Sequence, residues 1–341
     1  MPKELPWPKK GFEQATTAIY SERPTKPSTM VKKKGLVDFV RDAILASGYP
    51  LELEATRMLE SKGWSTSNNQ PYAGLQGGVR SIDISAQPPD MLNLDDKWKV
   101  KYDWGRIDGI LSPFVLSPEM CVECKKSTKA WVFFRGTWDL GPIFRPGYCG
   151  QIFDDMYRRW GSSILMSNIE SDPLTAHYKS AGNTAISFSE VSLGGKTSTG
   201  GARKKPRKEI FTALMQLLNY ITFDYKNNLR NRKYLLYDFK YPVIVLDGQL
   251  FSAELKHGNL VVEPSEHVVL EHTHVDRDLW GHEGRVFYID VVTKEQFPAL
   301  IEAMTRDVTE FSMKFVEGLE DRKAKLQLVS KPAKRKARQR R

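Results

Sequence analysis

The sequence predicts an α/β protein, a mixed central sheet flanked by helices with a β-rich C-terminal extension. Three observations carry that expectation. Apolar residues recur at helical spacing in the first third of the chain, short strand-like runs alternate with helical ones through the middle, and the stretch from 234 to 292 is dense in β-branched and aromatic residues. With 341 residues, 40% of them hydrophobic and 11% aromatic, the chain can bury a sizeable core, which excludes wholesale disorder.

The elements follow in order. Leu36, Phe39, Val40, Ala43 and Ile44 place a helix over Leu36–Ala46. A second helix is expected over about Pro50–Lys62, since Pro50 suits a helix start and Gly63 a helix end. Strands are expected at 79–86, 98–104, 106–111, 120–126 and 131–135, and helices at 148–166 and 208–226. Between 234 and 292, Asp247-Gly248 and His257-Gly258 read as hairpin turns, and an amphipathic helix over about 294–320 follows. The organisation expected is a basic arm (1–35), a core (36–230) carrying a basic loop (192–208), the β-rich extension with its final helix (231–325), and a basic tail (326–341).

Charge is distributed unevenly along this plan. The formal net charge is +10, yet residues 1–35 hold eight Lys/Arg against three Glu, residues 196–208 hold six with no acid, and the last eleven residues hold seven with no acid. Those three segments carry +18, so the remainder carries −8. Their low apolar content and like-charge repulsion predict flexibility, and their clustering favours a polyanionic partner, because lysine and arginine beside phosphates release counterions. Gly194-Gly195-Lys196-Thr197 is no phosphate-binding P-loop, since the motif's first glycine would fall on Glu190. No apolar run approaches the ~20 residues of a membrane span, and no apolar leader is visible. Three cysteines are too few for a disulfide scaffold, so a reducing cytoplasm is expected.

The stretch Met120-Cys121-Val122-Glu123-Cys124-Lys125-Lys126-Ser127 carries the chemistry. On a strand, Cys121, Glu123 and Lys125 share one face, and a carboxylate beside an ammonium is unusual on a half-buried surface. Two aspartates could join Glu123. Asp108, in Gly105-Arg106-Ile107-Asp108-Gly109, lies fifteen residues upstream, and the short connection favours it. Asp83, in Val79-Arg80-Ser81-Ile82-Asp83-Ile84-Ser85-Ala86, has cleaner alternation but 39 intervening residues. Two hard oxygen ligands with room for water and phosphate make a Mg²⁺ site, and a neighbouring lysine can activate water and counter phosphate charge. On the second helix, Leu51, Ala55, Met58 and Leu59 define the buried stripe, with Glu52 and Glu54 flanking it on opposite sides.

Gly105-Arg106-Ile107-Asp108 followed by Glu123-Cys124-Lys125 resembles the PD-(D/E)XK, restriction-endonuclease-like nucleases, although Ile107 rather than proline precedes the aspartate. Tyr49–Trp64 resembles the first helix of Mrr-like members, and Gln216-Leu217-Leu218-Asn219-Tyr220 is similar to the Q-x-x-x-Y motif of RecB-like ones. The resemblance covers about residues 36–225 and implies a restriction-endonuclease-like fold and a Mg²⁺- or Mn²⁺-dependent nuclease, most simply a DNA endonuclease. It implies that Asp108 and Glu123 bind metal with the Cys124 backbone carbonyl, that Lys125 activates water, that Glu52 assists and that Gln216 organises the site. It further implies a role in prokaryotic or mobile-element defence, restriction or repair, with nucleic acid as partner and a second copy or a defence protein as a possible companion. The alternative is a nucleic-acid-binding or assembly subunit that keeps the fold without catalysis.

Other signals weigh less. Cys121-x-x-Cys124 would point its thiols to opposite faces, and only Cys149 remains to complete a zinc set, so core cysteines are expected. His267, His272, His274 and His282 lack a helical metal spacing, and Trp131, Trp138, Trp160 and Tyr157 read mainly as core aromatics.

Overall fold

The computed structural model describes residues 35–74, 78–88, 114–136, 152–154, 178, 184–192, 209–230, 235–280 and 284–310. The basic arm apart from Gly35, the basic loop apart from Ser192, the basic tail, Asp108, Cys149, Trp138, Tyr157, Trp160, His282 and the strands expected at 98–104 and 106–111 lie outside them. The chain divides into two units, Met1–Ala43 and Ile44–Arg341. Helix α1 (Leu36–Ala46) begins in the first and has the predicted bounds.

The second unit is built on one mixed sheet. Among the described residues its strands are β1 (Ser65–Ala73), β2 (Val79–Gln87), β3 (Phe114–Arg135), β4 (Ile152–Asp154), β5 (Ala185–Ser192), β6 (Leu235–Lys256), β7 (Asn259–Pro264), β8 (His267–His274) and β9 (Arg285–Thr293). β1, β2 and β3 form an antiparallel meander. β3 then runs parallel to β6, β6 parallel to β9, and β9 antiparallel to β8. β5 pairs with the C-terminal half of β3 and touches β8. The mixed α/β class is as the sequence predicts. The stretch read as an extension from 231 onward supplies β6 and β9 to this same sheet, with β6 directly beside β3.

Two apolar layers cover the sheet. On one side α2 (Tyr49–Ser61) and a helix over 297–310, here α5, pack Leu51, Ala55, Leu59, Phe297, Leu300 and Ile301 against Ile84, Val122 and Val243. On the other, α3 (Glu209–Arg230) lays Ile210, Leu214, Leu217, Leu218 and Ile221 against Ile82, Cys121, Trp131 and Ile244. Alternation along β3 explains the division, because even-numbered side chains face α2 and odd-numbered ones face α3. Cys121 and Cys124 are accordingly buried in opposite layers as free thiols. Trp131 is fully buried beneath α3 and cannot stack on a ligand. A short helix α4 (Arg277–Trp280) completes the described elements.

Several expectations need correction. Of the helix expected over 148–166, the described residues 152–154 form strand β4 instead, pairing with Tyr237–Phe239 at the start of β6. The strands expected at 120–126 and 131–135 are one strand, with a register shift against β6 between Lys126 and Ala130. Asp247-Gly248 is not a hairpin turn, because β6 runs straight through it. Gly248 is needed there for a different reason: a Cβ would lie 2.8 Å from the Ser127 carbonyl oxygen, where β3 and β6 approach. His257-Gly258 is the turn, with φ of 50° and 81° joining β6 to β7.

Candidate active site

β2 and β3 stay paired for only three rungs, Ile84 with Val122, Ser85 with Cys121 and Ala86 with Met120. One step further the register would set Asp83 opposite Glu123, and there the ladder ends. In its place the Cys124 backbone N–H donates to Asp83 Oδ2 at 2.7 Å. β3 keeps its other edge on β6, with Glu123 beside Ile244, so the strands part as a fork with the two acids at its crotch. A strand residue points its N–H and C=O to the same side, which turns the Cys124 carbonyl toward the fork as well. β1 is disturbed at the same level, where Asn69, between the rungs Asn68–Ile84 and Gln70–Ile82, adopts φ 53°.

Glu123 is fully buried. One carboxylate oxygen bonds the Lys125 ammonium, and the other, Oε2, is buried with no hydrogen-bond partner. Burial first, then the charge on Asp83, push its carboxyl up to about 8, against the pull of Lys125. Asp83 is raised by burial, partly offset by the Cys124 N–H and by Lys125. Glu52, on the first turn of α2, is raised by burial and then by Asp83. Burial would lower the Lys125 ammonium, but Glu123 outweighs it, so Lys125 holds its proton more tightly than a free lysine. Burial raises all three acids, and the charge on Asp83 adds to the rise of Glu52 and Glu123, so one lysine leaves the group short of positive charge.

The structure thus brings Glu52, Asp83, Glu123 and Lys125 into one field, while Asp108 lies outside the described residues. Glu54, the other acid flanking the α2 stripe, is bound to Lys294 at 2.8 Å, away from this group. The described contact of Gln216 is its backbone carbonyl, which accepts from the Tyr72 hydroxyl at 3.0 Å. Tyr72 in turn lies in the field of Glu123, and burial followed by that charge pushes its phenol up to about 12.

A second polar cluster sits further down the same face of β3 and has no signal in the sequence reading. Lys240, register partner of Glu119, is almost wholly buried among Glu119, Asp224 (2.8 Å) and Asp238 (3.2 Å). Glu119 also accepts from Ser85 Oγ (2.5 Å) and from Tyr220 Oη (2.9 Å), the tyrosine of the Q-x-x-x-Y stretch. Burial alone would raise the Glu119 carboxyl, but Lys240 outweighs it and holds it low. Burial pushes Asp238 up to about 7 despite Lys240. Because Ser85 is two residues from Asp83, this cluster ties β2 to β3, β6 and α3 just below the fork. Alternation of Asp238 and Lys240 with Phe239 and Tyr241 is the one local hint of it in the sequence.

The donor set of the fork is hard oxygen: two acids within one another's field, a third nearby, an orphaned carboxylate oxygen and a backbone carbonyl. That chemistry fits Mg²⁺ or Mn²⁺ rather than a thiolate or imidazole metal. Among the described residues no three His, Cys, Asp or Glu side chains already converge as a closed metal site, the His272 and His274 region included. Water and substrate oxygens would have to complete the shell, as they do for Mg²⁺ generally. No described helix is long and apolar enough to cross a membrane. Comparison with family models, curated proteins and solved structures finds no match to this chain.

Proposed function

We propose that this protein is a divalent-cation-dependent nuclease that hydrolyses phosphodiester bonds, with DNA as the substrate and the restriction-endonuclease-like nucleases as its fold relatives. The observation that carries this is the fork, where a buried carboxylate with a free oxygen meets a second acid and a charged lysine. Asp83, Glu123 and the Cys124 carbonyl would hold the ion, with Glu52 on its outer side. Of the two candidate aspartates, the reading takes Asp83, because its carboxylate caps the Cys124 N–H at the level of Glu123. When bound, the ion would polarise the phosphate and acidify the attacking water.

The protein's own residues supply the rest. Lys125 keeps its proton, so its part is to donate to a phosphate oxygen and stabilise charge that grows during attack, rather than to act as a base. Glu123 holds that ammonium in place through its own carboxylate oxygen. The Cys124 N–H holds Asp83 in place through its Oδ2. The −8 body repels nucleic acid, so the +18 carried by arm, loop and tail would hold the strand against it. Defence, restriction or repair is the biological setting this chemistry suits.

The test is plasmid nicking in Mg²⁺ or Mn²⁺ by wild type, Asp83→Ala, Glu123→Ala, Lys125→Ala and Asp108→Ala. Loss of Lys125 should cost about 10²–10³ in rate, the usual effect of removing one charge-stabilising donor. Asp83→Ala and Glu123→Ala should abolish cleavage and Asp108→Ala should retain it. Equal activity in all five proteins removes the mechanism, and the opposite ranking of the two aspartates transfers the metal role to Asp108.

A further inference from the structure

We infer that Arg80 is a substrate-binding residue of this fork, gripping a phosphate of the nucleic-acid strand beside the bond to be cut. The inference rests on the nuclease reading and deepens it. Arg80 stands on the half of β2 that has left β3, three residues before Asp83. Its face is fixed by its neighbours. Ile82, two residues on, lies in the α3-side layer, as does Tyr72, its register partner on β1. Cys121 lies in that same layer, so Glu123, two residues along β3, faces the same way as Arg80.

What marks Arg80 is that it combines this position on β2 with freedom, among the described residues, from any carboxylate. Lys125 is committed to Glu123, Lys129 to Glu190 and Glu209, Lys294 to Glu54 and Lys240 to its buried acids. Arg80 is exposed, and among the described residues no carboxylate pairs with it. Its side chain runs over Gly74, where a Cβ would stand 3.3 Å from its Cδ and Nε, so the glycine leaves that path open. Tyr72 feels Glu123, Asp83 and Arg80 together, which puts the guanidinium within the electrostatic reach of the site. An uncommitted planar guanidinium at the open end of an acidic fork is suited to bidentate binding of a phosphate.

The experiment measures binding of a fluorescent 20-base-pair duplex by the full chain in EDTA, at several KCl concentrations, for wild type, Arg80→Ala, Arg80→Lys and Arg306→Ala. Arg306 lies on α5, which covers the opposite face of the sheet. Losing one phosphate contact should lower the slope of log affinity against log salt by about 1 and weaken binding about tenfold at low salt. Lysine should keep the slope and restore part of the affinity, and Arg306→Ala should match wild type. With Mg²⁺ added, Arg80→Ala should raise KM with kcat kept within about threefold, as loss of uniform binding does. An unchanged slope in Arg80→Ala, or an equal loss in Arg306→Ala, overturns the Arg80 assignment while wild-type cleavage leaves the nuclease reading standing. A wild type that neither binds nor cleaves the duplex overturns both.

Discussion

Replacing Glu123 by glutamine should flatten the dependence of folding stability on pH. The carboxyl ordinarily titrates near 4.5 and is pushed up to about 8 in the fold. Between those values the native state holds a proton the unfolded chain has already lost. The stabilisation is therefore fully present below pH 4.5 and is lost as pH rises through about 8. The shift of roughly 3.5 units corresponds to on the order of 5 kcal/mol, an upper bound because the fork can relax or admit water. Lys125 does not disturb the sign, since its ammonium stays charged in both states across this window. Asp238 and other shifted groups are common to both proteins and cancel in the difference. Urea unfolding at pH 5, 7 and 9 should show wild type losing about 3–5 kcal/mol relative to Glu123→Gln between the ends of the series. Glutamine will start lower at pH 5, because its amide sits where an acid was accommodated, so the slope and not the offset is decisive. Parallel curves for the two proteins would refute the reading of Glu123 as a buried, proton-holding acid.

Three further outcomes follow from the same structure. Adding Mn²⁺ at pH 8 should raise the wild-type Tm and leave Asp83→Asn and Glu123→Gln unmoved, as differential scanning fluorimetry would show, because a cation bound by the fork replaces the proton on Glu123. Lys240→Met removes the counter-charge from three acids and should cost about 3–5 kcal/mol at pH 8 in urea unfolding, with the cost shrinking as pH falls and Asp238, then Glu119, take up protons. Gly248→Ala would press its methyl against the Ser127 carbonyl and should cost about 1–3 kcal/mol by the same measurement, since both backbones are held in the sheet.

The parts of the site legible in the sequence are those set by local periodicity. Glu123 and Lys125 share a face because they are two apart on a strand, and periodicity marks Glu52 and Glu54 alike as acids flanking an apolar stripe, with only the family resemblance favouring Glu52. Connection length and strand pairing point to different aspartates. The short connection favours Asp108, which lies outside the described residues, whereas the acid the described strands bring beside Glu123 is Asp83, 40 positions away along the chain, through antiparallel pairing of β2 with β3. Asp247-Gly248 misled for a related reason: the dipeptide that favours a tight turn is here demanded by a crowding carbonyl on the adjacent strand. The Lys240 cluster assembles residues from four elements spread between positions 85 and 240, so no window of the sequence contains it.

The three-rung seam between β2 and β3 also bears on how the site comes apart. Glu123 and Lys125 sit on a strand flanked by β6 in the middle of the sheet, so their amides should exchange with solvent only as the whole domain opens. Asp83 sits on a hairpin held to β3 by those three rungs, one side-chain bond from Ser85 and its own bond to the Cys124 N–H. If the β1–β2 hairpin lifted as a unit it would carry Asp83 and Arg80 away, drawing Tyr72, Ile82 and Ile84 out of their layers, and hydrogen exchange along β2 measures whether that costs less than global unfolding. Half of the fork would then be a removable jaw and half a fixed anvil, and hydrogen exchange would divide them cleanly along the line between β2 and β3.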